Sequence, residues 1–193
     1  GLTGGAGLFI SQFYGKNDIN NIKKVTGLNV LLGIILGLIF LIPALFFPKL
    51  IIHFFSYDPN VIKLCIDYFS IIAFCYPLIA VSTVFSMGSR SVRNPKLGMI
   101  CSAVALISNI ILNYGLIFGN LGLPALGVKG AALATVIARL IEFSLLIAYV
   151  YIVKKNYVLR FNLSNLKSID KSFINAFFAK STPILLNDSG WAI

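Results

Sequence analysis

Few residues in this sequence could do chemistry, and they stand inside long apolar runs. Arg139 and Glu142 are ionisable and three apart, so in a helix they share a face and can neutralise each other. A charge in lipid is costly, and the pair must face a cavity or a bundle interior. It couples an ion or a substrate to the protein, or it fixes helix packing. Asn109 and Asn113, four apart, present two amides on one helical face away from water. Their carbonyl oxygens are hard ligands suited to a cation such as Na⁺ or to a polar substrate; the same amides serve equally as interhelical hydrogen-bond partners. Asp188 follows Pro183 by five residues, with Asn187, Ser189 and Trp191 around it, a polar patch at an expected helix break where a carboxylate could hold a proton or Na⁺.

Other chemistries are poorly served. The sole histidine, His53, sits in a connector beside Phe54 and Phe55, with no nucleophile at a useful spacing, so an enzyme is not expected. The six acids are scattered, and Cys65, Cys75 and Cys101 form no CxxC pair, so no metal site and no cofactor is expected beyond a coupling ion. The net charge of +10 would suit nucleic acid in a soluble protein, but nearly every base lies between apolar runs, and no nucleic-acid partner is expected.

The elements that position these residues follow from hydropathy. Of 193 residues, 58% are apolar or aromatic and 11% charged, and the mean hydropathy is +0.91. A soluble domain or a disordered chain is excluded; the expected class is an all-α integral membrane protein, a polytopic helical bundle with lipid as its surroundings. Residues 1–13 are too short to cross alone. Val25–Phe47, Leu64–Gly88, Leu97–Phe118 and Gly130–Val153 are long enough, and a fifth span opens at Phe173. Pro77 should kink the second span, and Gly33 with Gly37 makes a GxxxG packing face. Lys and Arg alternate between connectors, 11 in 15–24, 89–96 and 154–171 against 3 in 48–63 and 119–129. The positive-inside rule places the first three in the cytoplasm. The connector 154–171, with Arg160, Asn162, Leu163, Leu166 and Ile169, is expected to lie on the membrane surface. A start at Gly1 and an end at Ile193 inside an apolar stretch read as a piece of a longer protein.

Four stretches carry a resemblance: "GGAGLFISQFYGKND" (4–18), "SMGSRSVRNPKLGM" (86–99), "SNIILNYGLIFGNLGLPALGVKGAALATVIAR" (108–139) and "TPILLND" (182–188). In this order they resemble the multidrug and toxic compound extrusion (MATE) family. The resemblance implies part of a twelve-helix, two-lobe transporter in the cell membrane: residues 1–153 as a first lobe from the end of its second helix to its sixth, 154–171 as the cytoplasmic connector, and 172–193 as the start of the seventh helix. It implies export of cationic and amphipathic compounds in exchange for Na⁺ or H⁺ by alternating access, in a complete protein that works as a monomer. It carries Asn109, Asn113 and Thr135 onto the family's cation site, and Asp188 onto an acid of the seventh helix. Asn113 departs from the carboxylate of one branch, and an amide exchanges no proton at working pH. The alternatives are a flippase for lipid-linked oligosaccharides, which usually needs a cationic cavity, and a non-transporting membrane scaffold.

Overall fold

The computed structural model describes residues 2–53, 57–154 and 157–190; the side chains of 2, 163, 185, 186 and 188–190 lie outside the described residues. Every element among them is helical: α1 (Leu2–Gly15), α2 (Ile19–Phe46), α3 (Pro48–His53), α4 (Pro59–Ile72), α5 (Cys75–Ser91), α6 (Pro95–Phe118), α7 (Val128–Ala148, running into a π-helical turn Tyr149–Val153), α8 (Leu163–Lys167) and α9 (Lys171–Gly190). Three are long and apolar enough to cross a membrane, 19–46, 95–118 and 128–153. They correspond to the first, third and fourth complete spans read from sequence. Their outer faces carry large exposed apolar residues such as Phe40, Ile107 and Ile110, which water would not tolerate and lipid would.

The span expected over Leu64–Gly88, with a kink at Pro77, is the bent pair α4 and α5, together long and apolar enough to cross and bent by 46° at their break. The cause lies at Pro77: it has no N–H to offer the carbonyl of Ala73, and that carbonyl accepts instead from Tyr76 at 3.1 Å, ending the α-helical ladder. Asp58 starts α4 by accepting from the Asn60 N–H at 2.8 Å. Gly37 of α2 lies against the bend, where a Cβ would come within 2.6 Å of the Pro77 Cα, so the close approach expected of the GxxxG pair occurs at its second glycine.

The fifth span expected to open at Phe173 begins as the helix α9, whose described length alone is not among the helices long and apolar enough to cross a membrane. His53, in its connector, ends the short helix α3.

The chain forms two compact units. The first comprises 1–33, 81–100 and 145–193; the second 34–80 and 101–144. The core of the first is built from Ile10, Ile22, Val25, Phe85, Val150, Leu159 and Phe177. Within it α9 lies along α1 through stacked rings, Phe9 on Phe177 at 5.7 Å and Phe13 on Phe173 at 6.4 Å, with Lys180 over the Phe9 ring. The connector after α7 is also part of this core. Leu159 is fully buried against Gly88, and Leu166 and Phe161 lie on Gly27. Leu166, one of the residues expected at a membrane surface, is half-buried there, as is Phe161.

In this unit the Lys- and Arg-rich connectors gather. Asn94 reaches Tyr149 and Tyr157 at 3.3 Å each, and Asn165 reaches Asn20 at 3.4 Å. In the second unit the poor ones gather, with Lys129, just before the fourth span, 3.3 Å from Asp67 at the start of the second. Such an exposed pair contributes little stability.

Candidate functional site

The polar residues singled out in the membrane-length helices meet in the second unit, between α6 and α7. The turn that joins these helices sets their distance. Gly119, with φ of 74°, reverses the chain where a side chain would be strained. The Leu126 N–H then donates to the Leu116 carbonyl at 2.8 Å. Gly130, in the first turn of α7, lies so close to that carbonyl that a Cβ would overlap it. Small residues continue up α7: Ala132 and Ala134 are fully buried and Ala138 nearly so. The two backbones therefore run close, and polar side chains on their facing surfaces reach each other.

They form a chain of hydrogen bonds. Asn113 Nδ2 donates to Asn109 Oδ1 at 3.0 Å, as the four-residue spacing predicts. Asn109 Nδ2 donates to Thr135 Oγ1 at 3.4 Å, and Thr135 donates to the Ala131 carbonyl at 3.0 Å. Asn113 Oδ1 is buried without a hydrogen-bond partner among the described residues. Two turns before Asn109 a second set begins. Glu142 receives Arg139 Nη1 at 2.7 Å on Oε2 and the Ser102 hydroxyl at 2.6 Å on Oε1. The carboxylate is nearly closed off, with 7% of its side chain exposed, whereas Arg139 is 42% exposed.

Both sets border one cavity of about 250 Å³, lined by Ser102, Ala105, Leu106, Asn109, Thr135, Ala138 and Arg139. Its lining is mostly apolar, with one amide side chain, two hydroxyl side chains and Arg139 among the residues around it. Both partners of the expected charge pair, and three of the four expected cation or substrate residues, thus lie at or beside one cavity. The fourth, Asp188, belongs to α9 in the first unit, and its side chain lies outside the described residues.

Sequence reasoning missed Ser102. It stands seven residues before Asn109 and eleven before Asn113, positions that fall on one helical face, and this spacing was the available signal. A second polar cluster was also missed, in the first unit. Tyr157 donates to Ser89 at 3.4 Å, Ser89 to the Phe85 carbonyl at 2.7 Å, and the Tyr149 and Tyr157 rings meet edge to face at 5.5 Å. Burial pushes the Tyr157 phenol above its usual pKa, opposed in part by its hydrogen bonds to Ser89 and Asn94.

Comparison with known proteins agrees with this architecture. The MatE family model matches residues 1–115. The chain is 26% identical over 189 residues to the probable multidrug resistance protein YoeA of Bacillus subtilis, covering 97% of this chain and 40% of that protein. It is 31% identical over 142 residues to the probable multidrug resistance protein NorM of Photorhabdus laumondii, covering 74% of this chain and 31% of that protein. Among solved structures, a multidrug resistance MATE family transporter in an inward-facing conformation superposes with a TM-score of 0.83 at 19% identity, over 94% of this chain and 40% of the other. An outward-facing structure gives 0.80 at 20% identity, over 92% and 38%. The chain spans about two fifths of the length of YoeA and of these solved chains. The helices, the polar seam between α6 and α7 and the family match together make this chain a member of the MatE family, the MATE transporters, with a helical membrane fold.

Proposed function

We propose that the complete protein exports cationic and amphipathic compounds across the cell membrane, in exchange for inward flow of Na⁺ or H⁺, by alternating access. The observation that carries this reading is the cavity between α6 and α7. A scaffold needs neither a cavity nor a continuous line of polar groups facing it, whereas a transporter needs both at mid-membrane depth. Asn109, Asn113 and Thr135 are the groups that meet the cation or the substrate in this lobe, and Asp188 is the acid of the other. Exchange requires only that each ligand binds the two arrangements of the protein unequally. The flippase alternative is less well served, because the single guanidinium of the cavity is already tied to Glu142, leaving no net positive charge for a diphosphate.

In this reading residues 1–153 belong to the first lobe, 154–171 to the inter-lobe connector and 172–193 to the second lobe, with connectors 15–24, 89–96 and 154–171 in the cytoplasm. The complete protein acts as a monomer in lipid and needs no cofactor besides its coupling ion. The test is transport by the complete protein in vesicles, with Na⁺ and pH gradients imposed separately and a fluorescent monocation such as ethidium as the probe. Gradient-driven ethidium movement supports the reading; no movement under either gradient overturns it.

A further inference from the structure

The polar cluster at the end of α7 lines a cleft that the exchange reading leaves without a role. The cleft, of about 540 Å³, lies wholly in the first unit. Its walls include Tyr14 of α1, Asn94 between α5 and α6, Tyr149, Val153 and Lys154 at the end of the α7 span, and Tyr157 beyond it. The π-helical turn shapes it. The Lys154 N–H donates to the Tyr149 carbonyl at 3.0 Å, so these two residues come to one side of the helix end, where an α-helix would turn residues five apart away from each other. The Tyr157 N–H then donates to the Lys154 carbonyl at 2.9 Å and returns the chain to the same cleft. The donors there are unequally used. The Asn94 amide donates to the Tyr149 and Tyr157 oxygens, and Tyr157 donates to Ser89. The Tyr149 hydroxyl proton has no acceptor among the described residues, and the Tyr14 hydroxyl and the Lys154 ammonium have no partner among them. No carboxylate lines the cleft.

The depth of the cleft selects its ligand. Val153 is the last residue of the α7 span and Lys154 the first beyond it, the level at which lipid tails give way to headgroups. Ammonium and phenol donors with no acid beside them suit the oxygens of a phosphate, and one ammonium matches the single charge of a phosphodiester. Three phenols would also suit an organic cation, but Lys154 on the wall opposes one. Val153 is 66% exposed and Ile152 before it 70%, an apolar surface against which acyl chains can lie. The connectors 15–24, 89–96 and 154–171, which meet in this unit, carry 11 bases and only two acids, Asp18 and Asp170, and such a face attracts anionic lipid. Resting on the cytoplasmic placement of these connectors given above, we propose that the cleft holds the headgroup of an anionic phospholipid of the cytoplasmic leaflet. Lys154 and the Tyr149 and Tyr14 hydroxyls take the phosphodiester, and Val153 with Ile152 takes the upper part of its chains.

The experiment uses the complete protein in phosphatidylcholine nanodiscs containing a minor fraction of phosphatidylglycerol with a diazirine in one acyl chain. After illumination, the adduct on Ile152 and Val153 is measured by mass spectrometry. Unlabelled phosphatidylglycerol should compete for the adduct, whereas soluble glycerophosphoglycerol, the same diester without chains, should not. Lys154→Gln should reduce the adduct about tenfold and Tyr149→Phe about threefold, as expected for losing one charge-assisted contact and one hydroxyl donor. Lys154→Arg should retain it, which guards against misfolding of the other variants. Lys167→Gln removes an equal charge from the same connector outside the cleft and should leave the adduct unchanged. An equal fall in Lys154→Gln and Lys167→Gln would mean attraction to a basic surface alone and overturns the site. Competition by glycerophosphoglycerol as strong as by the lipid would make the ligand a soluble phosphodiester and overturns the lipid assignment. Nanodiscs expose both faces, so the cytoplasmic placement is tested apart. Labelling of Lys167→Cys above the parent by an impermeant maleimide in intact cells overturns that placement, and the choice of leaflet with it.

Discussion

The Ser102 hydroxyl on α6 donates to Oε1 of Glu142 on α7 at 2.6 Å, on the far side of the carboxylate from Arg139. The carboxylate is thus held from two helices, whereas the guanidinium is held from one. The two halves of the ion pair also differ in exposure, with 7% of the Glu142 side chain open and 42% of Arg139. A buried charge that loses its partner is far more costly than an open one, because the open group can be rehydrated.

The first prediction is therefore an asymmetry. Arg139→Ala should lower the stability of the complete protein by about 2–4 kcal/mol, since it strands a buried carboxylate with one hydroxyl as support. Glu142→Gln should cost about 1 kcal/mol, because Arg139 already opens onto the cavity and the glutamine amide can still meet Ser102. Thermal unfolding in one detergent reads both. Equal losses, or a larger one for Glu142→Gln, would show that the pair is not loaded as the geometry says.

The second concerns the join of α6 and α7. A Cβ at Gly130 would overlap the Leu116 carbonyl, whereas a Cβ at Gly122, φ 76°, would meet open space. Gly130→Val should force the helices apart and abolish assembly or lower its melting temperature sharply. Gly122→Ala should cost only the left-handed backbone penalty, about 1–2 kcal/mol. Melting curves of the two variants side by side test this, and a tolerated Gly130→Val would mean that the close approach is not needed.

The third returns a carboxylate to position 113. Asn113 Oδ1 is buried without a partner among the described residues, so Asn113→Asp introduces an ionisable group at a closed-off position of α6. The substitution should steepen the pH dependence of ethidium transport and add a titration step absent from the parent. An unchanged profile would remove position 113 from the ion-responsive part of the lobe.

These contacts differ in how far they were legible beforehand. The meeting of Asn109 with Asn113 follows from a four-residue spacing, and that of Arg139 with Glu142 from three; both are properties of one helix. The contact with Thr135 needed the family resemblance, because helical periodicity says nothing about which neighbour a face will meet. Ser102 and the Tyr149–Asn94–Tyr157 cluster depend on residues 40 to 63 positions apart, which only the packed bundle specifies. The break in the second span was readable from Pro77 as a bend, yet its position at Ala73 follows from the one carbonyl that proline leaves unserved. The groove that takes Leu159 and Leu166 was not legible, because amphipathic spacing alone does not distinguish a lipid surface from a groove in the protein's own helices.

The fourth prediction uses that groove. Tyr157 is a phenol whose pKa burial raises above its ordinary value near 10, while in the unfolded chain it titrates normally. Below pH 10 both states carry the proton and stability is unaffected by it. As pH rises past 10 the unfolded state gives up its proton first, so stability falls until the folded-state pKa is also passed. Tyr157→Phe should therefore show less loss as pH rises past about 10 than the parent, measured as the change in denaturation midpoint. At neutral pH the same variant should be weaker than the parent by about 1 kcal/mol, from the lost bonds to Ser89 and Asn94. The two curves should converge in alkali. Parallel curves would mean that Tyr157 does not titrate differently on folding, and that the connector after α7 is held by Leu159 and its neighbours alone.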